Sequence, residues 1–274
     1  MDIENLSINL ATTRGSWGFA EAVEACLARG IRAISPWRDQ VAAIGLDEAA
    51  RIVHANGLRV TGLCRGGMFP AATPEGRRAA IDDNRRAIDE AAALGADCLV
   101  FVVGGLPAGS RDLPATRRMV EDGFSAILDY AITAEVPLAI EPLHPMYAAD
   151  RCCVNTLKQA LDLAERLGPD IGVAVDAYHV WWDPELPEQI ARAGRQNRIF
   201  AHHICDWLVP TNHLLLDRGM MGDGIIDLKA LRHMIEAAGF HGPQEVEIFS
   251  AENWWKKPGE VVLDTVIERF ATVC

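Results

Sequence analysis

No apolar run in this 274-residue chain approaches the roughly 20 residues that a membrane-spanning helix needs, so no membrane segment is expected. Lysine and arginine form no cluster, and 26 basic residues face 38 acidic ones, for a formal net charge of −12. A surface of that sign repels phosphate backbones and anionic lipid, which argues against nucleic acid and membranes as partners. The seven cysteines have no regular spacing. They read as reduced thiols of a cytoplasmic protein and not as a disulfide framework. The adjacent Cys152 and Cys153 are the one pair placed for redox chemistry. The opening MDIENLSINL, acidic and without a long apolar stretch, does not read as a signal peptide. No low-complexity segment and no Pro/Gly/Ser-rich linker divides the chain. Gly66-Gly67 and Gly104-Gly105 are fragments of a phosphate loop, and neither completes G-x-G-x-x-G.

What is present is an alternation of short β-rich runs and longer helical patterns. Half of the residues are hydrophobic, ample for a buried core. Eight candidate strands fall at residues 6–11, 32–35, 59–63, 98–103, 137–140, 172–175, 199–203 and 245–248. Most are continuously apolar, as parallel strands covered on both faces are. Thr73-Pro74-Glu75 opens a helix with a capping hydroxyl, a proline at the first helical position and an acid in the first turn. Ile81, Ile88 and Ala92 follow on one expected face. Asn155 or Thr156 opens another helix, with Leu157, Ala160, Leu161, Ala164 and Leu167 as its apolar stripe. Gly30, Gly57, Gly95, Gly168 and Gly239 mark helix ends and suit a left-handed cap. Alternating β and α elements imply a parallel sheet. Eight strands in this length favour a closed (β/α)₈ TIM barrel, about 250 residues in the typical case, as a single domain over residues 1–274.

Four metal-ligand side chains stand at the C-terminal ends of apolar runs: Glu141 in LAIEPLHP, Asp176 in GVAVDAYH, His203 in RIFAHHICD and Glu247 in QEVEIFS. They lie 35, 27 and 44 residues apart in order, and one strand–helix unit takes about 30 residues or more. Four ligands at successive strand ends point at one ion from a ring of strands, on the face where such barrels carry their active sites. Three carboxylates and an imidazole suit one divalent ion: Mn²⁺ first, with Mg²⁺, Co²⁺ or Zn²⁺ as alternatives. His202 competes with His203, because neighbours on a strand face opposite ways and only one can point inward.

The segments IEPLHP, VDAYH, HHICDW and VEIFS resemble the xylose-isomerase-like sugar isomerase/epimerase superfamily, which includes ketose 3-epimerases, hydroxypyruvate isomerases and inosose-processing enzymes. The resemblance covers the second half closely and the first half by its strand–helix rhythm. It implies that Glu141, Asp176, His203 and Glu247 ligate the metal. The family's H-x-H-[LI]-x-D pattern selects His203 through Asp206, with Ala201 at the earlier histidine position. D-x-x-H makes His179 a substrate-binding residue, and Arg218 in DRGMMGDGIID matches an arginine that grips a substrate oxygen. Two departures matter. Ketose epimerases carry a further glutamate after the first ligand, where this chain has His144 and Tyr147. Related DNA-repair endonucleases use extra histidines on earlier strands, where this chain reads LCRGGMF and FVVGGLP. Of seven tryptophans clustered after strands, Trp37 and Trp207 are the better candidates for a sugar pocket.

The implied chemistry is metal-assisted enolisation of a small carbohydrate, a keto-sugar or related polyol. A polarised carbonyl acidifies the neighbouring C–H, one of Glu141 and Glu247 takes the proton, and the other returns one to another face or carbon. Expulsion of a β-substituent from the same enediolate would instead make the protein a lyase, with His144 or His179 as the acid. A third alternative is a sugar-binding barrel without turnover, whose sign would be a missing ligand or carboxylate. Trp254-Trp255 suggests a homo-oligomer surface.

Overall fold

A computed structural model describes residues 3–274. The domain expected over residues 1–274 includes residues 1 and 2, which lie outside the described residues. Nine parallel strands make up the main sheet: β1 Leu6–Asn9, β2 Ala33–Ser35, β3 Arg59–Val60, β4 Leu63–Gly67, β5 Leu99–Val102, β6 Leu138–Ile140, β7 Ile171–Asp176, β8 Ile199–Ile204 and, after a short hairpin, a strand at Gln244–Val246. The hairpin strands, β9 Asp206–Trp207 and β10 Arg218–Gly219, pair antiparallel, and Gln244–Val246 is therefore β11. In space the order runs β3-β2-β1-β11-β8-β7-β6-β5-β4. The end strands β3 and β4 are consecutive in the chain and separated only by Thr61 and Gly62. The ring therefore closes through the chain itself, and β3 with β4 is one barrel strand in two pieces. The architecture is a (β/α)₈ TIM barrel.

Among the described residues, ten helices flank the strands: α1 Phe19–Ala28, α2 Arg38–Ile44, α3 Leu46–Ala55, α4 Pro74–Leu94, α5 Leu113–Thr133, α6 Leu157–Leu167, α7 Ala177–Val180, α8 Leu186–Arg195, α9 Leu228–Ala237 and α10 Gly259–Thr272. Local chemistry sets their starts. The Thr73 hydroxyl accepts from the Gly76 N–H at 3.1 Å, and Thr156 accepts from Gln159 in the same way. Thr156, not Asn155, is thus the cap of α6. The buried face of α4 is Asn84, Ala87, Ile88, Ala91 and Leu94. Ala92 is exposed, because the buried face centres on Asn84, Ala87 and Ala91, and Ala92 lies roughly 100° around the helix from that centre. Gly168 ends α6 at φ 128°, ψ −177°, outside the left-handed helical region, while Gly95 occupies it at φ 63°, ψ 38°. The first strand stops at Asn9, whose side chain turns back to accept from the Ala11 N–H and starts a 3₁₀ turn over Leu10–Thr13.

Side-chain alternation divides the apolar residues between two regions. Leu6, Ile8, Ile34, Val173, Val175 and Ile204 face the helices in the main core. Inside the barrel, Cys64, Cys98, Val100, Ala139, Ala174 and Ala201 pack together beneath Trp37. The glycine pairs serve close backbone approach. A Cβ on Gly67, already at φ 113°, would meet the Val102 carbonyl oxygen at 1.9 Å, and one on Gly105 would meet the Ala149 oxygen at 2.5 Å. All seven cysteines are free and buried, and burial pushes the Cys152 thiol up to about 12, which silences it as a redox group. Trp254 and Trp255 are tied to the fold, donating to Asp223 and to the Ala11 carbonyl; Trp254 is buried and Trp255 part-exposed. Among the described residues, no helix is long and apolar enough to cross a membrane.

Asn84 ties α4 to the end of β4. Its amide accepts from the Gly67 N–H at 2.6 Å and donates to the Gly67 carbonyl at 2.8 Å, and it is fully buried. Asn84→Ala leaves both backbone groups buried and unpaired, and we expect a loss of about 1–3 kcal/mol in urea unfolding. A change inside about 0.5 kcal/mol would mean that this tie is not structural.

Candidate active site

Each expected ligand stands two residues beyond a side chain in the barrel interior. Glu141 follows Ala139, Asp176 follows Ala174, His203 follows Ala201 and Glu247 follows Glu245. A period of two keeps both members of each pair on the inner face. The register then sets them side by side: His203 pairs with Asp176 on β7 and with Glu245 on β11. Ligand atoms of Glu141, Asp176, His203 and Glu247 lie within 4.8 Å of one another, and all four residues are buried. His202, one residue away, faces outward, is buried, and has neither ring nitrogen hydrogen-bonded.

His203 lies between two carboxylates. Its Nδ1 is 2.9 Å from Glu141 Oε1, and its Nε2 is 3.6 Å from Glu245 Oε1. Burial pushes the Glu141 carboxyl up to about 7; His203 pulls it down, and the charges of Asp176 and Glu247 add to the rise. Burial disfavours the His203 cation, but Glu245, Glu141 and Glu247 outweigh it and hold its proton well above the usual imidazole range. Glu245 went unnoticed in the sequence, although its position two residues before Glu247 places it on the same inner face. Asn9 donates to Glu245 at 2.7 Å and to Glu247 at 2.9 Å, and the Asn9 carbonyl accepts from the Trp37 indole at 2.9 Å. Thr61 donates to the other Glu245 oxygen at 3.0 Å. Cys64, Glu245 and Glu247 form a second close group of ligand atoms, but the Asn9 amide, 3.8 Å from the Cys64 sulfur, already serves it as donor.

Arg218 is 3% exposed, so it is no surface arginine. One of its terminal nitrogens donates to Asp176 at 3.1 Å and to Glu247 at 2.8 Å, and the other is 3.2 Å from His179 Nε2. Its Nε is buried with no hydrogen-bond partner. Burial opposes its charge, yet the fields of Asp176 and Glu247 keep it firmly protonated. Asp206 sets its loop, accepting from the N–H groups of Gly222, Gly224 and Ile226. The His179 ring lies between two donors, the His144 N–H at its Nδ1 and the Arg218 guanidinium at its Nε2, both at 3.2 Å, and a neutral imidazole can accept only one of them. Burial pushes His179 down to about 3.

A cavity of about 150 Å³ opens above the cluster, lined in part by Trp37, Glu141, Tyr147, His179, Arg218 and Glu247. His144 and Trp207 are not among its walls. His144 stacks on Trp207 at 4.8 Å, and its Nδ1 accepts from the Met146 N–H. The buried set fits a divalent cation. Three carboxylates exceed the single charge of Arg218, and His203 presents one nitrogen to the cluster and the other to a supporting carboxylate, the usual arrangement of a ligand histidine.

A sequence model of the xylose isomerase-like TIM barrel matches residues 16–266. No curated protein matches the sequence significantly. Among solved structures, a protein of Sinorhizobium meliloti 1021 is 69% identical, with a TM-score of 0.99 over 100% of this chain and 99% of that one. The IolI protein with a bound zinc atom is 22% identical, with a TM-score of 0.85 over 98% and 97% of the two chains. The 3-keto-D-glucoside 4-epimerase of E. coli is 19% identical, with a TM-score of 0.73 over 93% and 94%. At such identities the last two show likeness of fold.

The two adjacent histidines separate in experiment. His203→Ala is expected to weaken Mn²⁺ binding by more than about tenfold in calorimetry, since even outer partners of ligands cost that much. His202→Leu removes two unpartnered ring nitrogens, so its unfolding free energy should hold or rise and its metal affinity stay unchanged. Loss of metal in His202→Leu with retention in His203→Ala would reverse the assignment.

Proposed function

The chain belongs to the xylose isomerase-like TIM barrel family, and from that premise we propose that it is a divalent-metal-dependent sugar isomerase or epimerase acting on a keto-sugar or related polyol. The observation that carries this reading is the convergence of Glu141, Asp176, His203 and Glu247 beneath one cavity, with Arg218 and His179 at its wall. We read all of residues 1–274 as one such domain. The oxygen-rich ligand set favours Mn²⁺, with Mg²⁺, Co²⁺ and Zn²⁺ as the other choices; the IolI protein, similar in fold, carries zinc. Held by Glu141, Asp176, His203 and Glu247, such an ion would supply Lewis-acid polarisation of a substrate carbonyl.

The protein's own groups then handle protons and position. Glu247 and Glu141 both border the cavity. One carboxylate takes the proton from the carbon beside the carbonyl, and the C–H electron pair moves to form the enediolate. The other carboxyl returns a proton to the opposite face, giving the epimer, or to the neighbouring carbon, giving the isomer. The unpaired Nε–H of Arg218 is a donor for a substrate oxygen, and the His179 ring borders the same space. Trp37 offers an apolar wall for sugar C–H groups.

The lyase alternative needs an acid above the leaving group. His144 stands outside the cavity, and burial keeps His179 neutral, so neither favours elimination. All four ligand positions are filled by competent side chains, which disfavours a barrel that only binds sugar.

The test is deuterium uptake. With Mg²⁺-loaded protein in D₂O and a panel of ketoses and keto-inositols together with ketose phosphates and keto-uronates, NMR should report exchange beside a carbonyl. Glu247→Gln should slow that exchange by about a hundredfold or more. Metal-loaded protein that exchanges no proton on any member of the panel would refute the reading.

A further inference from the structure

The cavity wall carries two arginines that, among the described residues, form no ion pair. Arg65, on β4, and Arg151, just beyond the turn Pro145–Tyr147, both line it. Among the described residues, neither guanidinium has a hydrogen bond or an ion pair. Acids outnumber bases 38 to 26 in this chain, so partners are plentiful. Elsewhere they are used: Arg38 pairs with Asp83 and Glu90, Arg192 with Asp162 and Glu165, and Arg218 with Asp176 and Glu247.

Arg65 is the more costly of the two. Burial first, and then the like charge of Arg151, push its guanidinium below its usual value. Two guanidinium groups at one cavity, neither in an ion pair and only Arg65 drawn weakly by Asp83, are unfavourable in the free protein. Tyr147 adds a third donor without a partner. It lines the same cavity, is 4% exposed, and its hydroxyl has no hydrogen-bond partner. The Arg151 guanidinium lies 5.9 Å over its ring. Glu141, Glu247 and Arg218 border the same space, so one small ligand can meet both groups.

We propose that Arg65 and Arg151, with the Tyr147 hydroxyl, bind an oxyanion carried by the substrate, a phosphate or a carboxylate, so that the enzyme selects an acidic keto-sugar over a neutral one. This rests on the isomerase or epimerase reading of the site and adds the substrate class to it. The planar guanidinium fork suits either oxyanion. The chain's net charge of −12 repels anions in general, so an acidic substrate needs such a local pair.

The test is calorimetry on the full-length, metal-free protein at constant ionic strength, which removes direct anion–metal contact. The probes are D-fructose, D-fructose 6-phosphate, D-fructuronate and inorganic phosphate. At least one acidic probe should bind about tenfold or more tightly than fructose. That preference should fall to near unity in Arg65→Gln/Arg151→Gln, persist in part in the double lysine variant, and weaken in Tyr147→Phe. Tighter binding of fructose 6-phosphate identifies phosphate, and tighter binding of fructuronate identifies carboxylate. The melting temperature of Arg65→Gln without anion should equal or exceed that of the wild type, because an unanswered charge is removed. The proposal fails if no acidic probe is preferred, if the preference survives the double substitution, or if Arg65→Gln lowers the melting temperature. Proton exchange reads the function separately. Anion preference without exchange would leave this site standing and remove the isomerase reading; exchange on neutral ketoses without anion preference would do the reverse.

Discussion

Three carboxylates and an imidazole lie buried within 4.8 Å of one another, and Glu245 adds a fourth acid beside them. Like charges at that spacing repel, and burial removes the water that would screen them. The surrounding residues are a set of answers to this problem. Arg218 bridges Asp176 and Glu247, the Asn9 amide joins Glu245 to Glu247, and His203 stands between Glu141 and Glu245. Arg218 and a protonated His203 are still fewer than the four carboxylates around them, and a divalent ion would balance the excess.

The barrel supplies the stiffness that this arrangement requires. The four ligands come from four different strands or strand ends, each held in a parallel ladder, so repulsion cannot spread them without breaking the sheet. Small side chains below them, Ala139, Ala174 and Ala201, let the strands approach beneath the cluster. Asp206 holds the loop that delivers Arg218, and Asn84 anchors the strand end that leads from Arg65 into α4. Charge balance at the floor of the cavity and charge excess at its wall are then separate properties. The floor suits a cation, and the unpaired arginines at the wall suit an anion.

The strand–helix rhythm and the ligand ends were legible in the sequence, because both follow from local periodicity. Apolar runs ending in Glu141, Asp176 and Glu247 announce themselves; alternation says only that one of His202 and His203 faces inward, and the resemblance to the H-x-H-[LI]-x-D pattern selects His203. What escaped the sequence were contacts between distant strands. Asn9 and Thr61 reach Glu245 from more than 180 residues away, and nothing in LSINL or RVTGL marks them as partners of an acid. Glu245 itself was readable from E-x-E on a strand. His144 and Trp207 were placed near the substrate by position after a strand, but a stacked pair satisfies both rings outside the cavity. Trp254 and Trp255 stand together in the sequence, and nothing there shows that each indole N–H finds an acceptor within the fold.

Anomalous diffraction from crystals soaked in Mn²⁺ tests the central claim most directly. The account predicts one anomalous peak, ligated by Glu141, Asp176, His203 and Glu247, with Glu245 on the far side of the His203 ring. Absence of a peak at that cluster, or a peak at Cys64, Glu245 and Glu247 in its place, would contradict it.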